Sequence, residues 1–335
     1  MQRNRRFLVI GCGSIGKRHI GNLIALNEKN ILAFDIMAER RRDVKSRFDI
    51  EVLDNLADAW SNKPDVAVIT APTSMHVPLA IMAAEQDCHM FIEKPLSHNM
   101  DGLEELLDIV LRKNLVTLVG CNMRFHPGLK QIRKMIEDGN IGRIIAMRIE
   151  FGQYLPDWHP WEDYRHGYSA RAELGGGIIL DAIHELDYIR WILGEIDTVA
   201  CIAGKLSKLE INTEDTAAIL LRFSSGVIGE IHLDYVQRTY SRTCHIIGDE
   251  GTIRWDYKTG EITWYSAESR DWQSYHNPPD WEPNHMYLDE LRHFLRCQSK
   301  EEEPHLDAFE AARVLQVALA AKESAQTERF VKVGK

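Results

Sequence analysis

Three side chains in this sequence have the chemistry to move a proton or steady a negative oxygen: Lys94, Asp181 and His184. Asp181, His184 and Asp187 stand three apart inside an apolar stretch. Ile178, Ile179, Ile183, Leu186, Ile189, Ile192 and Leu193 recur there at helical spacing. Gly175, Gly176 and Gly177 open the stretch and Gly194 closes it. The spacing predicts one helix with acid, imidazole and acid on a single face. Burying such groups unpaired is costly. The stripe therefore reads either as a satisfied core histidine with an acid near the helix start, or as a carboxylate–imidazole pair for general acid–base work. Lys94 stands in Glu93-Lys94-Pro95, where an apolar run ends. It reads either as an ion pair with Glu93 or Asp181, or as a site residue that the following proline holds at a strand-to-loop corner.

The elements that must position these groups begin at the first residues. Phe7–Ile10 is a short apolar strand running into Gly11-Cys12-Gly13-Ser14-Ile15-Gly16, and a helix follows from Lys17. In a strand–loop–helix setting, Gly11 makes the tight turn, Gly13 lets backbone reach a pyrophosphate, and Gly16 lets helix pack on strand. Ser14 and Ile15 offer free N–H groups at the positive end of that helix. A second strand at 30–34 ends at Asp35, placed to bind the adenosine ribose hydroxyls. An acid there favours NAD. Arg40, Arg41 and Arg42 follow closely, so NADP stays open, and the same arginines also read as a solvated helix face.

The strand–helix alternation continues with strands at 65–70, 89–92 and 115–120 and helices at 77–86 and 101–113. This pattern predicts a doubly wound parallel sheet, whose ligands lie beyond the carboxyl ends of its strands. Thr70, Pro72, His76, Glu93, Lys94, Asn122 and Arg124 fall at such ends and join the glycine loop and Asp35 as the expected cofactor contacts. After Pro127 the rhythm changes. A helix at 127–137 precedes strands at 144–151, 198–203, 216–223, 227–234, 244–248, 251–256 and 261–265. Ser224-Ser225-Gly226 and Asp249-Glu250-Gly251 are hairpin signals. The second half is therefore expected to be an α+β domain with a large, mostly antiparallel open sheet. One face would carry the helix described above; the other needs a cover, and a second subunit is the simplest one. The domains divide at 1–124 and 125–335, with a final helix at 305–326 that packs back on the first domain.

The loop at 154–168 is long enough to be a binding element. Tyr154, Arg165 and His166 lie in it or at its rim, and with Arg124, Asp181 and His184 they form the expected substrate contacts. Trp158, Trp161, Trp272 and Trp281 are expected in loops, as sugar platforms or as ordinary packing. The net charge of −10 argues against a nucleic-acid partner. The six cysteines are scattered without metal-ligand spacing, so no metal is expected and the thiols read as reduced and cytoplasmic. The apolar run at 7–10 is too short for a signal sequence, and no run approaches a membrane span.

Three motifs coincide in order: Gly11–Gly16 followed by Arg18-His19, then Glu93-Lys94-Pro95, then the three glycines with Asp181 and His184. Together they resemble the Gfo/Idh/MocA family, named partly for glucose–fructose oxidoreductase and inositol dehydrogenase. The resemblance spans nearly the whole chain. It implies a Rossmann domain followed by an open-sheet domain, bound NAD or NADP, and a sugar- or cyclitol-like substrate. It also implies dimers or tetramers built through the sheet. The family's catalytic lysine, aspartate and histidine correspond to Lys94, Asp181 and His184. Many members space the last two by four residues, and here the spacing is three. The implied reaction moves a hydride between nicotinamide and a secondary alcohol or ketone. His184 would act as acid/base, Asp181 would orient it, and Lys94 would steady the alkoxide; the alternative makes Lys94 the proton carrier. A nucleotide-binding sensor without turnover is the competing class, and reduction of a C=C or imine bond is a third.

Overall fold

The computed structural model describes residues 5–334. The chain begins β1 (Phe7–Ile10), α1 (Ser14–Ala25), β2 (Ile31–Phe34), α2 (Ala38–Arg47), β3 (Glu51–Leu53), α3 (Leu56–Ser61) and β4 (Val66–Ile69). It continues α4 (His76–Glu85), β5 (His89–Glu93), α5 (Leu103–Lys113), β6 (Thr117–Gly120), α6 (Pro127–Glu137) and β7 (Ile144–Gly152). Then come α7 (Ile178–Asp181), α8 (Ile183–Leu193), β8 (Ile196–Gly204), β9 (Thr216–Phe223), β10 (Ile228–Asp234) and β11 (Ser241–Gly248). The last elements are β12 (Gly251–Asp256), β13 (Glu261–Ser266), β14 (Asp271–His276), α9 (Asn284–Gln298), α10 (Ala308–Thr327) and β15 (Val331–Lys332).

Two compact units result. The first takes the residues up to Asn122 and Pro283–Ala312; the second takes Met123–Glu282 and the chain from Arg313 onward. The first holds a six-stranded parallel sheet in the order β3-β2-β1-β4-β5-β6. Every residue of β1 and β4 is buried, as expected for strands covered on both faces. Phe7, Val9, Val66, Val68, Phe91 and Leu118 form one core with Leu291 and Phe294 of α9. The first unit takes in α9, whose apolar stripe completes its core. The start of the final helix also belongs there: Ala308 N–H donates to Thr117 Oγ1 of β6 at 3.0 Å, and Val119 N–H to Leu306 O at 2.9 Å. Beyond Ala312, α10 belongs to the second unit, where Ser324 Oγ accepts from Cys201 N–H at 2.9 Å.

The second unit is a nine-stranded mixed sheet in the order β14-β13-β12-β11-β7-β10-β9-β8-β15. Only β7 and β10 pair in parallel. Along β9, Ala217, Ile219, Leu221 and Phe223 are buried while Ala218, Leu220 and Arg222 are exposed. One face is therefore core and the other faces outward. α7 lies against β9 and β10. Trp272 sits in β14, an edge strand, rather than in a loop. Its segment, Asp-Trp-Gln-Ser-Tyr-His, is too polar to announce a strand.

Candidate active site

The glycine loop is built by close packing. Gly11 has φ +105°, and a Cβ there would stand 2.7 Å from the Thr70 backbone. A Cβ on Gly16 would stand 1.9 Å from Gly11 O. Gly13 faces open space, its nearest neighbour being Arg40 Nη1 at 3.8 Å from an added Cβ. No side chain caps α1 at its start, so its first-turn N–H groups are presented outward. Asp35, at the end of β2, accepts from Cys12 N–H and Met37 N–H, both at 2.7 Å. It thus ties the glycine loop to its own turn while its charge faces the loop. Arg40 reaches to 3.7 Å of that carboxylate, and Arg41 donates to the Asp35 and Ile36 carbonyls. Open backbone over a helix start, beside a buried acid, fits a dinucleotide. Burial, aided by the Asp35 charge, pushes the Cys12 thiol up to about 12, so the loop's cysteine is no nucleophile.

Lys94 lies half-buried in the turn after β5. Glu93 Oε1 is 2.6 Å from His19 Nε2, and Glu93 Oε2 accepts the Lys94 N–H at 3.2 Å. His76 opens α4 and is buried, with Nδ1 2.7 Å from Pro95 O and Nε2 2.8 Å from Ala71 O. Burial pushes the His76 pKa down, against the pull of those two carbonyls. Thr70 Oγ1 donates to Gly11 O at 2.7 Å. Pro72 leads into the short turn Thr73–Met75. Three expected cofactor contacts, Thr70, His76 and Glu93, therefore have side chains committed to other parts of the protein. Asn122 is buried and hydrogen-bonded to Tyr287 of α9, whose phenol is raised by burial against the nearby Arg18.

In the second unit the expected single helix is two. Ala182 has ψ +26° and separates α7 from α8, and Glu185 N–H bonds to Ala182 O, three residues back. Asp181 ends α7 and His184 falls in the first turn of α8, so the acid–imidazole stripe crosses a break. Gly177 has φ +113°, where a Cβ would stand 2.4 Å from the Glu214 carboxylate, and a Cβ on Gly176 would stand 2.2 Å from Tyr168 O. The glycines thus let the chain enter α7 against its neighbours. Asp181 is only 4% exposed and accepts from the Tyr235 hydroxyl at 2.5 Å. Burial, followed by the Asp181 charge, raises the Tyr235 phenol well above its ordinary range. His184 is half-buried.

Two buried ion pairs hold α8. Arg124 grips Asp187 with Nε 2.9 Å from Oδ2 and Nη2 2.7 Å from Oδ1. Its Nε and Nη2 are therefore committed to the helix. Arg242 reaches Glu185 at 2.7 Å and stacks 4.5 Å from the Phe151 ring centroid. Burial is the largest influence on Arg242 and opposes its charge, but Glu185 together with the phenols of Tyr240, Tyr188 and Tyr257 outweighs it and the pKa is raised. In the long loop, Arg165 pairs with Asp163 at 2.7 Å and Glu210 at 3.4 Å, and the side-chain and backbone bonds from Arg165 to Asp163 draw that carboxyl down to about 2. Arg165 is thus neutralised at the surface rather than held ready for an anion. His166 is exposed 3.7 Å from Asp163, and Tyr154 lies under the Arg238 guanidinium. Tyr235 and Glu214 had no signal in the sequence beyond lying near strand ends. Among the described residues, no three His, Cys, Asp or Glu side chains cluster as metal ligands, and no helix is long and apolar enough to cross a membrane.

Comparison with known proteins adds to this geometry. A family described as "Oxidoreductase family, NAD-binding Rossmann fold" matches residues 5–121, and one described as "GFO/IDH/MocA C-terminal domain" matches residues 129–254. The chain is 29% identical to myo-inositol 2-dehydrogenase of Thermotoga maritima, covering 98% of each chain. It is 30% identical to the uncharacterized oxidoreductase YrbE of Bacillus subtilis, covering 74% of this chain and 72% of that one. A solved levoglucosan dehydrogenase in complex with NADH superposes with a TM-score of 0.89 at 22% identity, covering 99% of both chains.

Proposed function

From the premise that the chain belongs to the Gfo/Idh/MocA family of NAD-binding oxidoreductases, we propose that it moves a hydride between NAD and a ring secondary alcohol of a cyclitol or sugar. Lys94, Asp181 and His184 carry the proton chemistry. The observation that supports this most is the Asp181–Tyr235 bond beside a helix break. A buried carboxylate is kept polar three residues before a half-buried imidazole, in a segment that packing alone would fill with apolar groups.

NAD, when bound, supplies the hydride acceptor, and the glycine loop and Asp35 are the residues that would hold it. On oxidation the carbinol C–H leaves with its electron pair, and the hydroxyl proton leaves separately to a ring nitrogen of His184. The Lys94 ammonium stabilises the oxygen while it carries negative charge. Asp181, fixed through one oxygen by Tyr235, orients the imidazole or a neighbouring substrate hydroxyl. Reduction runs the same transfers backwards.

The test is NADH formation from myo-inositol, scyllo-inositol and levoglucosan, with Lys94→Ala and His184→Ala alongside. Removing the acid/base group should cost about 10²- to 10⁴-fold in kcat and take its limb of the pH–rate profile with it. If His184→Ala keeps that limb and Lys94→Ala loses it, the roles are exchanged. Tight NADH binding with no turnover of any polyol would instead support a sensor.

The outward face of the nine-stranded sheet carries Ile202, Leu220 and Ile228, each at least half exposed. We propose that a second copy of the chain covers it, giving a dimer or tetramer. A monomeric mass by light scattering at assay concentration would reject this.

A further inference from the structure

Two buried imidazoles in the first unit are not used by the proposed reaction, and both act on the same turn. His19 comes from α1, the helix whose start offers N–H groups to a dinucleotide; His76 opens α4. His19 is fully buried, with its ring 4.8 Å from the Phe91 ring centroid and edge-on to Tyr287 at 6.2 Å. Its Nδ1 has no hydrogen-bond partner among the described residues. The proton it can use well is therefore on Nε2, which faces Glu93 Oε1 at 2.6 Å. The other oxygen of Glu93 accepts the Lys94 N–H. Glu93 thus converts a bond from α1 into a fixed backbone position at Lys94. His76 adds to the brace one residue further on, with Nδ1 2.7 Å from Pro95 O and Nε2 2.8 Å from Ala71 O, and its neutral ring donates to one of these two carbonyls.

We propose that His19 and His76 are positioning residues for Lys94. They tie the Glu93–Pro95 turn to the glycine-loop helix and to the turn after β4. The tie fixes where the lysine chain leaves the backbone. This rests on the reading of Lys94 as the group that steadies the alkoxide. A strand end is where ladder partners run out, so backbone direction there must be set by side chains. An imidazole suits the task because its rigid planar ring fixes the direction of its N–H bond.

The experiment is a double-mutant cycle on the full chain. His19→Leu fills the space without a donor, His19→Gln restores an N–H towards Glu93, and each is combined with Lys94→Ala. The readouts are kcat on the best-turned-over polyol of the panel above, the NADH dissociation constant, and amide hydrogen exchange in a peptide spanning the turn. His19→Leu should lower kcat about ten- to a hundredfold with Lys94 present, because small misplacements of a reacting group are that costly. In the Lys94→Ala background it should lower kcat by less than about twofold, since coupled residues are non-additive. NADH binding should hold, exchange should quicken at the turn only, and His19→Gln should recover most of the loss. Equal losses in both backgrounds overturn the proposal, as does a kcat unchanged by His19→Leu. If Lys94→Ala alone leaves kcat intact, the reading of Lys94 fails and the brace loses its purpose with it. Should His19→Leu not fold, His76→Gln in the same cycle gives the same decision.

Discussion

The turn that carries Lys94 and the helix that carries His184 are fixed by opposite means. Around Lys94 the bonds run from imidazoles and a carboxylate to backbone atoms: Lys94 N, Pro95 O and Ala71 O. Around His184 they run between side chains, as two buried arginine–carboxylate pairs on Asp187 and Glu185. The difference follows from the elements themselves. A helix satisfies its own backbone, so only its side chains remain to set its place. A turn after a strand has unsatisfied backbone groups, and orienting those groups orients the residue. The first arrangement therefore governs geometry at modest energetic stake, while the second places whole charges in the core.

The largest effect should come from the charged side. Arg124→Leu leaves Asp187, which is 0% exposed, without its bidentate cation, and should cost ~3–5 kcal/mol of unfolding free energy. His19→Gln, which keeps a donor to Glu93, should cost under ~1 kcal/mol. Urea or thermal unfolding of the two variants measures both. If the two losses are similar, the contrast between the regions is false.

Much of the parallel-sheet region was legible because its physics is local. The apolar runs Phe7–Ile10 and Val66–Ile69 read as strands buried on both faces, and the glycine spacing placed the loop between strand and helix. The alternation in Thr216–Phe223 marked a one-sided sheet equally well. What stayed hidden depends on distant partners or on exposure. α9 has a sound apolar stripe, but nothing in it says that Phe294 packs with Phe7 and Val9. β14 is polar because it is an edge. The break at Ala182 carries no Gly or Pro to announce it. Of the candidate site, Lys94, Asp181 and His184 stood out by type and spacing. Tyr235 did not, because it is 54 residues from Asp181 and is one tyrosine among several. Arg124 was visible at a strand end, but its buried partner Asp187 was not, because that pairing spans 63 residues.

An intermediate effect should appear as acid sensitivity in the second unit, close to the charged helix. His126 caps α6 by accepting from Gly128 N–H at 3.0 Å, and sits among the rings of Trp255, Tyr257 and Trp281. Burial first, and then the Arg242 charge, push its pKa down to about 3. The folded chain thus keeps His126 neutral where the unfolded chain, near its ordinary value of about 6.5, takes up a proton. Between those values the unfolded state binds more protons, so stability rises with pH and falls on acidification. At pH 5 the loss from this residue should approach ~2 kcal/mol. His126→Asn keeps a good cap and cannot titrate. Its stability should therefore fall less steeply than the parent's between pH 6.5 and 4.5, and parallel slopes would remove His126 as the cause.

A modest effect on stability, and the one that bears most directly on catalysis, belongs to Tyr235→Phe. The change deletes one hydroxyl and keeps the ring that packs edge-on against Trp158 at 5.3 Å. Asp181 then loses the donor to one carboxylate oxygen inside a buried pocket. Unfolding free energy should drop by ~1–2 kcal/mol. The kinetic signature should be sharper than the stability loss. If Asp181 orients His184, kcat should fall about tenfold with the NAD Michaelis constant unchanged, because one mispositioned hydrogen bond of that size is a factor of ten in rate. NADH affinity, which the glycine loop governs, serves as the internal control. A parallel fall in kcat and in NADH affinity would mean that Tyr235 supports the fold at large. An unchanged kcat would mean that Asp181 is held for packing, and would leave His184 to act without it.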